Sequence, residues 1–126
     1  MADYFRTEVA AGPGAGDTGW LALPDDELVF RIESLPAVHG SDDELLAVVR
    51  SKRHFFVRQE AAKKICDVER LKAFAGDRHI GQILARQMRR HEDIDYLEQL
   101  LRESRHLEVR NAAKVQLRLL KQLLKR

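Results

Sequence analysis

Apolar residues recur along most of this chain at the spacing of one helix face, and no stretch alternates as a strand would. From residue 41 onward they return every three or four positions, which is the period of an amphipathic α-helix. Ser41 followed by Glu44 predicts a capping box in front of the first of these segments. Short connections predict antiparallel neighbours. The predicted helices span residues 42–51, 55–65, 67–75, 79–90, 93–104 and 107–124.

A further helix precedes these six. In the segment LPDDELVFRIESL, the proline suits a first helical turn and the acidic residues complement the positive end of the helix dipole. Asp77 and Asp93 are predicted helix caps. Residues 1–19 are acidic, rich in Gly and Ala, and without periodic apolar positions, so they predict a flexible leader. The chain is therefore expected to divide into this leader and one helical domain over residues 20–126.

One sequence motif occurs twice. The stretch KRHFFVRQEAAKKI, from Lys52 to Ile65, returns 52 residues later as SRHLEVRNAAKVQL, from Ser104 to Leu117. A worn third copy, DRHIGQILARQM, lies between them and has Gly-Gln in place of the Val-Arg pair. Each copy follows another predicted helix, which is typical of helical-hairpin repeats that bury their apolar faces by stacking.

The run Val-Arg-x-x-Ala-x-x-x-(Ile/Leu), present over residues 57–65 and 109–117, resembles the HEAT-repeat family, including its short bilin-lyase-like form. The resemblance covers residues 42–124, about two-thirds of the chain. It implies an all-α fold built as a short α-solenoid, with about three HEAT-like hairpins and an extra N-terminal helix. The second helix of each hairpin would line a concave binding face. No particular activity is implied, because such repeats mostly act as scaffolds.

The net charge of +2 conceals an uneven distribution. Residues 1–49 carry a charge of −8, whereas residues 50–126 carry +10. Such an asymmetry bears on association rather than on the fold. Either the acidic part pairs with the basic part, within one chain or between chains, or the basic part binds an external anion.

Basic residues concentrate on the outward faces of the predicted second helices. In the last helix they recur at i, i+4 and i+8 with few acidic residues between them, although acidic partners are usual on a merely solvated helix. The pattern predicts a surface that binds an acidic protein or peptide, with a solvated face as the alternative. The predicted binding residues are Arg58, Lys63, Arg86, Arg89, Arg110, Lys114 and Arg118.

Three further arginines recur beside predicted helix starts. These are Arg53, Arg78 and Arg105. Helix N-termini attract anions through their free amides and the helix dipole, so the three predict an anion-binding ladder. The alternative is that Arg53 and Arg105 end the preceding helices, where a cation is also favourable.

No metal-binding or catalytic pattern emerges. The recurring His54, His79 and His106 occupy equivalent places in stacked helices, roughly 8–10 Å apart, whereas each zinc ligand must lie about 2 Å from the ion. The acidic residues near Asp93 are explained by helix capping. Cys66 is the only cysteine, so no internal disulfide forms and a reducing compartment is expected. We expect no cofactor, no enzymatic activity and a structural role for Cys66.

The sequence therefore predicts a cytoplasmic, non-catalytic interaction module. Nucleic acid is the rival partner because the basic part could contact phosphates, although few aromatics are present to stack bases. A non-catalytic subunit of an enzyme complex is a third alternative. No apolar run approaches the ~20 residues needed to cross a bilayer, so no membrane partner is expected. Leu123 and Leu124 predict an apolar end through which copies could self-associate.

Overall fold

The computed structural model describes residues 19–125, and all their regular elements are helical. After a helical turn at residues 19–21, the α-helices are α1 (Asp25–Glu33), α2 (Asp42–Arg50), α3 (Phe55–Lys64), α4 (Arg78–Gln87), α5 (Ile94–Glu103) and α6 (Leu107–Leu124). Two 3₁₀ helices span Val68–Phe74 and His91–Asp93. The all-α prediction is thus confirmed for this part of the chain. The predicted leader, apart from Gly19, lies outside the described residues.

The described residues form two compact units that meet in sequence between Cys66 and Asp67. In the first unit, α2 and α3 pair as a hairpin and α1 packs against α3. Leu28 and Ile32, four residues apart on α1, are fully buried, which is what one apolar helix face predicts. The turn before α1 is covered by Trp20, whose ring lies 5.6 Å from the Arg31 guanidinium carbon.

In the second unit, α5 and α6 form a hairpin, α4 packs along α6, and the first 3₁₀ helix packs on α4. The α4–α6 contact depends on Gly81. A Cβ atom at this position would lie only 2.9 Å from a Val109 methyl carbon and 3.1 Å from the Ala75 carbonyl oxygen. The worn copy of the repeat therefore lacks valine because α6 occupies the space that its side chain would need.

Both good copies of the motif bury the positions expected from their spacing. Val57, Ala61 and Ile65 are buried in the first unit, and Val109, Ala113 and Leu117 in the second. The small alanine sits at the centre of each buried face, where it permits close approach of the neighbouring helix. Each hairpin thus has its own set of packed apolar residues.

Several local predictions were wrong. Residues 68–74 form a 3₁₀ helix rather than an α-helix; Val68, Leu71 and Phe74 are spaced by three, and at three residues per turn such positions lie directly above one another. The side chain of Ser41 makes no capping hydrogen bond. The fourth predicted α-helix ends at Gln87 rather than at residue 90.

The predicted aspartate caps have different outcomes. Asp77 caps α4 as expected, since its Oδ1 accepts hydrogen bonds from the backbone amides of His79 and Ile80. Asp93 makes no capping bond to α5 and instead accepts one from the backbone amide of Arg90. It therefore closes the short 3₁₀ turn before α5.

None of the helices found in residues 19–125 combines the length and the apolar character that a membrane span requires.

Candidate partner-binding surface

The repeated Val-Arg pair has the same two structural roles in both hairpins. Val57 and Val109 are buried. Arg58 donates from Nε to the Val49 carbonyl at 2.7 Å, and Arg110 donates from Nη1 to the Ser104 carbonyl at 2.6 Å. These carbonyls lie at the end of the first helix of each hairpin, where helical carbonyls lack partners within the helix. The structure therefore gives both arginines, predicted as binding residues, a role in holding their own hairpin together.

Arg53, a member of the predicted anion ladder, is also engaged within the first unit. Its Nη1 atom donates to Asp25 at 2.6 Å, and its Nη2 atom donates to the carbonyls of Leu21 and Leu23, each at 2.6 Å. The guanidinium thus ties the segment before α1 to the turn between α2 and α3. Because both Nη atoms of Arg53 already donate to these acceptors, the guanidinium is poorly placed to bind an external anion.

The other two members of that ladder belong to the second unit and are exposed. Arg78 has its Nε atom 3.9 Å from a Glu108 carboxylate oxygen, a distance at which a solvent-exposed pair contributes little. Arg105 follows α5 directly. The structure thus commits one arginine of the three to the fold and leaves two at the surface of the other unit.

Two cations of α6 have no carboxylate partner among residues 19–125. Lys114 and Arg118 are exposed, four residues apart, and on the side of the helix away from the buried Val109. Within residues 19–125 neither of them forms an ion pair or hydrogen bond with another side chain. Since neither side chain contributes to the fold, both are available to a partner.

Helix α4 packs against the side of α6 that carries Val109 and Gln116. The two helices run in the same direction, because Gly81 faces Val109 near their starts and Gln116 donates to the Met88 carbonyl at 2.8 Å near the end of α4. Arg86 points away from the buried side of α4 and makes only a long, 3.5 Å contact with Gln82. Arg86 and the two cations of α6 therefore lie on opposite outer sides of this helix pair. We define the basic face as Lys114 and Arg118, with the half-exposed Val115 on the same helix.

The remaining predicted binding residues are not part of the basic face. Lys63 belongs to the first unit and forms a 2.9 Å ion pair with Glu60, three residues earlier on α3. Arg89 is exposed and follows the end of α4. Its neighbour Arg90, by contrast, is bound on several sides by carboxylates.

Arg90 and the buried Asp93 form the most developed ion pair of the second unit. Arg90 Nη2 lies 2.9 Å from both Asp93 Oδ1 and Glu69 Oε2. Burial raises the pKa of the Asp93 carboxyl, but the hydrogen bonds and the charge of Arg90 outweigh burial and hold that pKa below its ordinary value. The hydrogen bond from Lys72 lowers the pKa of Glu69 against the opposing effect of burial, and the charges of Lys72 and Arg90 lower it further. This cluster neutralises Arg90 and stabilises the unit.

Three potential metal ligands converge in the first unit. The ligand atoms of His39, Asp42 and Cys66 all lie within 4.8 Å of one another, and His39 Nε2 is 3.5 Å from Cys66 Sγ. However, each ring nitrogen of His39 already makes a hydrogen bond. Nε2 donates to the Lys64 carbonyl at 2.7 Å, so Nδ1 carries the lone pair that accepts from the Ser41 amide at 3.1 Å.

A metal at Nε2 would displace the first of these bonds and put the ring proton on Nδ1, which could then no longer accept from the Ser41 amide. Cys66 is also fixed through its backbone, whose amide donates to Asp42 Oδ1 at 2.9 Å. The cluster therefore fastens the loop before α2 to the end of α3. Sequence reasoning missed this cluster, because 27 residues separate His39 from Cys66 and only the fold brings them together.

Comparisons of the chain with protein-family models, with curated proteins and with solved structures give no match. The interpretation of its function therefore depends on the residues and contacts described above.

Proposed function

We propose that this protein is a non-catalytic, HEAT-like helical-repeat module that binds an acidic protein segment through the basic face of its second unit. The observation that carries the proposal is the difference between the cations that contact other groups of the fold and those that do not. Arg58 and Arg110 hold helix ends, and Arg90 is neutralised by carboxylates, whereas Lys114 and Arg118 serve no contact in the described fold. Unpaired cations along one ridge attract carboxylates and steer their approach.

The surroundings of the basic face favour a protein partner over nucleic acid. Val115, which is 52% exposed, offers an apolar contact beside the cations. Base stacking needs exposed aromatic rings, but the second unit has only Phe74 and Tyr96, and both are half-buried. The ring of Tyr96 is moreover covered by the Lys72 ammonium, 4.3 Å from its centroid. An acidic segment with an apolar residue beside its carboxylates matches this surface best.

The repeat architecture supports a scaffold role. Two hairpins use the same buried valine, central alanine and carbonyl-binding arginine, which is how repeat proteins reuse one structural unit. The proposal extends this to a short solenoid. Its binding function would then depend on residues that the repeats do not share.

Fluorescence anisotropy with defined probes tests the proposal. The probes are a labelled peptide that alternates Glu with occasional Leu and a labelled single-stranded oligonucleotide of equal charge. We expect the peptide to bind more tightly, with an affinity that falls as salt rises. The double substitution Lys114→Glu/Arg118→Glu should weaken peptide binding about tenfold or more, since each lost pair is replaced by repulsion.

The matched control is Lys52→Glu/Lys63→Glu, which makes the same charge change on exposed residues of the first unit. An equal loss in the control would show that only net charge matters, and it would overturn the assignment of the basic face. Tighter binding of the oligonucleotide would instead favour nucleic acid as the partner.

A further inference from the structure

The outer side of α1 carries an apolar groove with an acidic edge. Phe30 is 72% exposed, and Phe56 at the start of α3 is 49% exposed. Both line a groove of about 580 Å³, and Asp25, Asp26 and Glu33 contribute carboxylates to its lining. Neighbouring exposed aromatic side chains of this kind are typical of interaction sites.

A surface of opposite character lies at the end of α6. The last buried residue of that helix is Leu120, and beyond the level of Met88 no part of α4 accompanies it. Three leucines there are 50–60% exposed. We define the leucine end as Leu119, Leu123 and Leu124. The basic residues next to it in sequence are Arg118, Lys121 and Lys125, of which Lys121 also lies 3.4 Å from a Glu98 carboxylate oxygen on α5.

We propose that the leucine end of one copy binds in the α1 groove of a second copy. Leucine side chains would cover Phe30 and Phe56, while the flanking cations face the carboxylates at the edge of the groove. This combination of apolar contact and charge complementarity selects the second copy as the occupant. Two leucine ends are a worse match for each other, because their pairing would bring like charges together.

The contact is heterologous, since the groove and the leucine end are different surfaces. Each associated copy keeps one unused groove or end, so that association continues into chains or closes into a ring. About two helical turns enter the groove, and such a small interface is expected to be weak and transient. Screening of its charge pairs makes it sensitive to salt. The proposal does not rest on the function proposed above: Arg118 belongs to both surfaces, but neither the α1 groove nor the three leucines have a part in that function.

Sedimentation velocity on the full chain, over about two decades of concentration, tests the proposal in a range suited to weak association. The sedimentation coefficient should rise with concentration and should rise less at high salt. Two variants, Phe30→Ser and Leu119→Ser/Leu123→Ser, should each remain monomeric. Because all three substituted residues are exposed, circular dichroism should show unchanged helicity. The matched control is Val38→Ser, which removes an 86% exposed side chain outside the groove and should associate normally.

Mixing the two monomeric variants gives the decisive result. The Phe30→Ser chain keeps its leucine end, and the double-leucine variant keeps its groove, so an equimolar mixture should form 1:1 dimers and nothing longer. Dimers confirm the head-to-tail contact. A wild-type chain that stays monomeric at every concentration overturns the proposal, and so does a mixture that stays monomeric while wild type associates.

Discussion

The hairpins α2–α3 and α5–α6 use the same residues for their fold and differ in what they offer to solvent. Each has a buried valine, a buried central alanine and an arginine on the final carbonyls of its first helix. However, α3 has 10 residues and its Lys63 is paired, whereas α6 has 18 residues and carries Lys114 and Arg118, which have no ion-pair partner in the described part of the chain. The shared residues explain the fold, and the residues that are not shared are where binding is to be sought.

The histidines at the two turns extend this comparison. His54 caps α3 by accepting from the Phe56 amide at 3.1 Å, whereas His106 directs its Nε2 to the Gly76 carbonyl, 3.1 Å away and 30 residues earlier. Equivalent sequence positions therefore make a local bond in one hairpin and a tertiary bond in the other. Recurrence of a residue type does not imply a common ligand, and here both histidines are used for structure.

The largest change in stability is expected when the worn copy is given the valine that the other two copies carry at this position. Gly81→Val should destabilise the protein by about 2–3 kcal/mol, because overpacking against Val109 exceeds the gain in helix propensity. The free energy of unfolding in urea measures the effect. Adding Val109→Ala should recover about 1 kcal/mol of the loss relative to simple additivity. Strictly additive effects would contradict the contact that we assign to Gly81.

A smaller loss of stability is expected when the ion pair between Arg90 and Asp93 of the second unit is removed. Asp93→Asn keeps the shape of the side chain but removes the charge facing Arg90, and should cost about 1–2 kcal/mol near neutral pH. The matched control is Asp95→Asn, which changes an exposed carboxylate two residues away and should shift the stability by less than ~0.5 kcal/mol.

The pH dependence of stability should distinguish wild type from the Asp93→Asn variant. The folded state holds the pKa of Asp93 below its ordinary value, so its contribution is complete above the unfolded pKa of about 3.9. That contribution is lost as the pH falls through the lower, folded pKa. Wild type should therefore lose stability more steeply in acid than Asp93→Asn. Parallel curves for wild type and Asp93→Asn would contradict the role of this carboxylate.

The smallest expected effect tests whether the two hairpins are equivalent. Arg58→Met and Arg110→Met each remove a charged donor from a helix-end carbonyl while keeping the apolar stem, and should each cost about 1 kcal/mol. Lys114→Met, on the same helix as Arg110, should be nearly neutral. Chemical denaturation measures all three. A loss at only one arginine would show that the repeated motif has diverged in its structural role.

The sequence anticipated the helical hairpins well because their signal is local. Periodic apolar positions placed α2, α3, α5 and α6 within about one residue of their observed ends. Where the spacing changed from the helical period to exactly three residues, over Val68–Phe74, the expected α-helix became a 3₁₀ helix. Spacing of that kind is visible in the sequence, and it explains the error.

The surface was harder to predict because an arginine looks the same in a sequence whether it is free or bound. Arg53, Arg58 and Arg110 were grouped with surface cations, but the fold places backbone carbonyls within their reach. The pairing of His39 with Cys66 was missed for the same reason. Contacts between residues distant in sequence depend on packing, which local periodicity does not encode.

The part of α6 that follows Leu120 has a consequence for the evolution of this protein. Beyond Leu120 the helix covers no buried core, so substitutions there leave the folding free energy almost untouched. Natural selection can act on them only through what the helix touches outside its own unit. The end of α6 is therefore free to acquire new partners without loss of stability, whereas a position such as Gly81 is held fixed by packing.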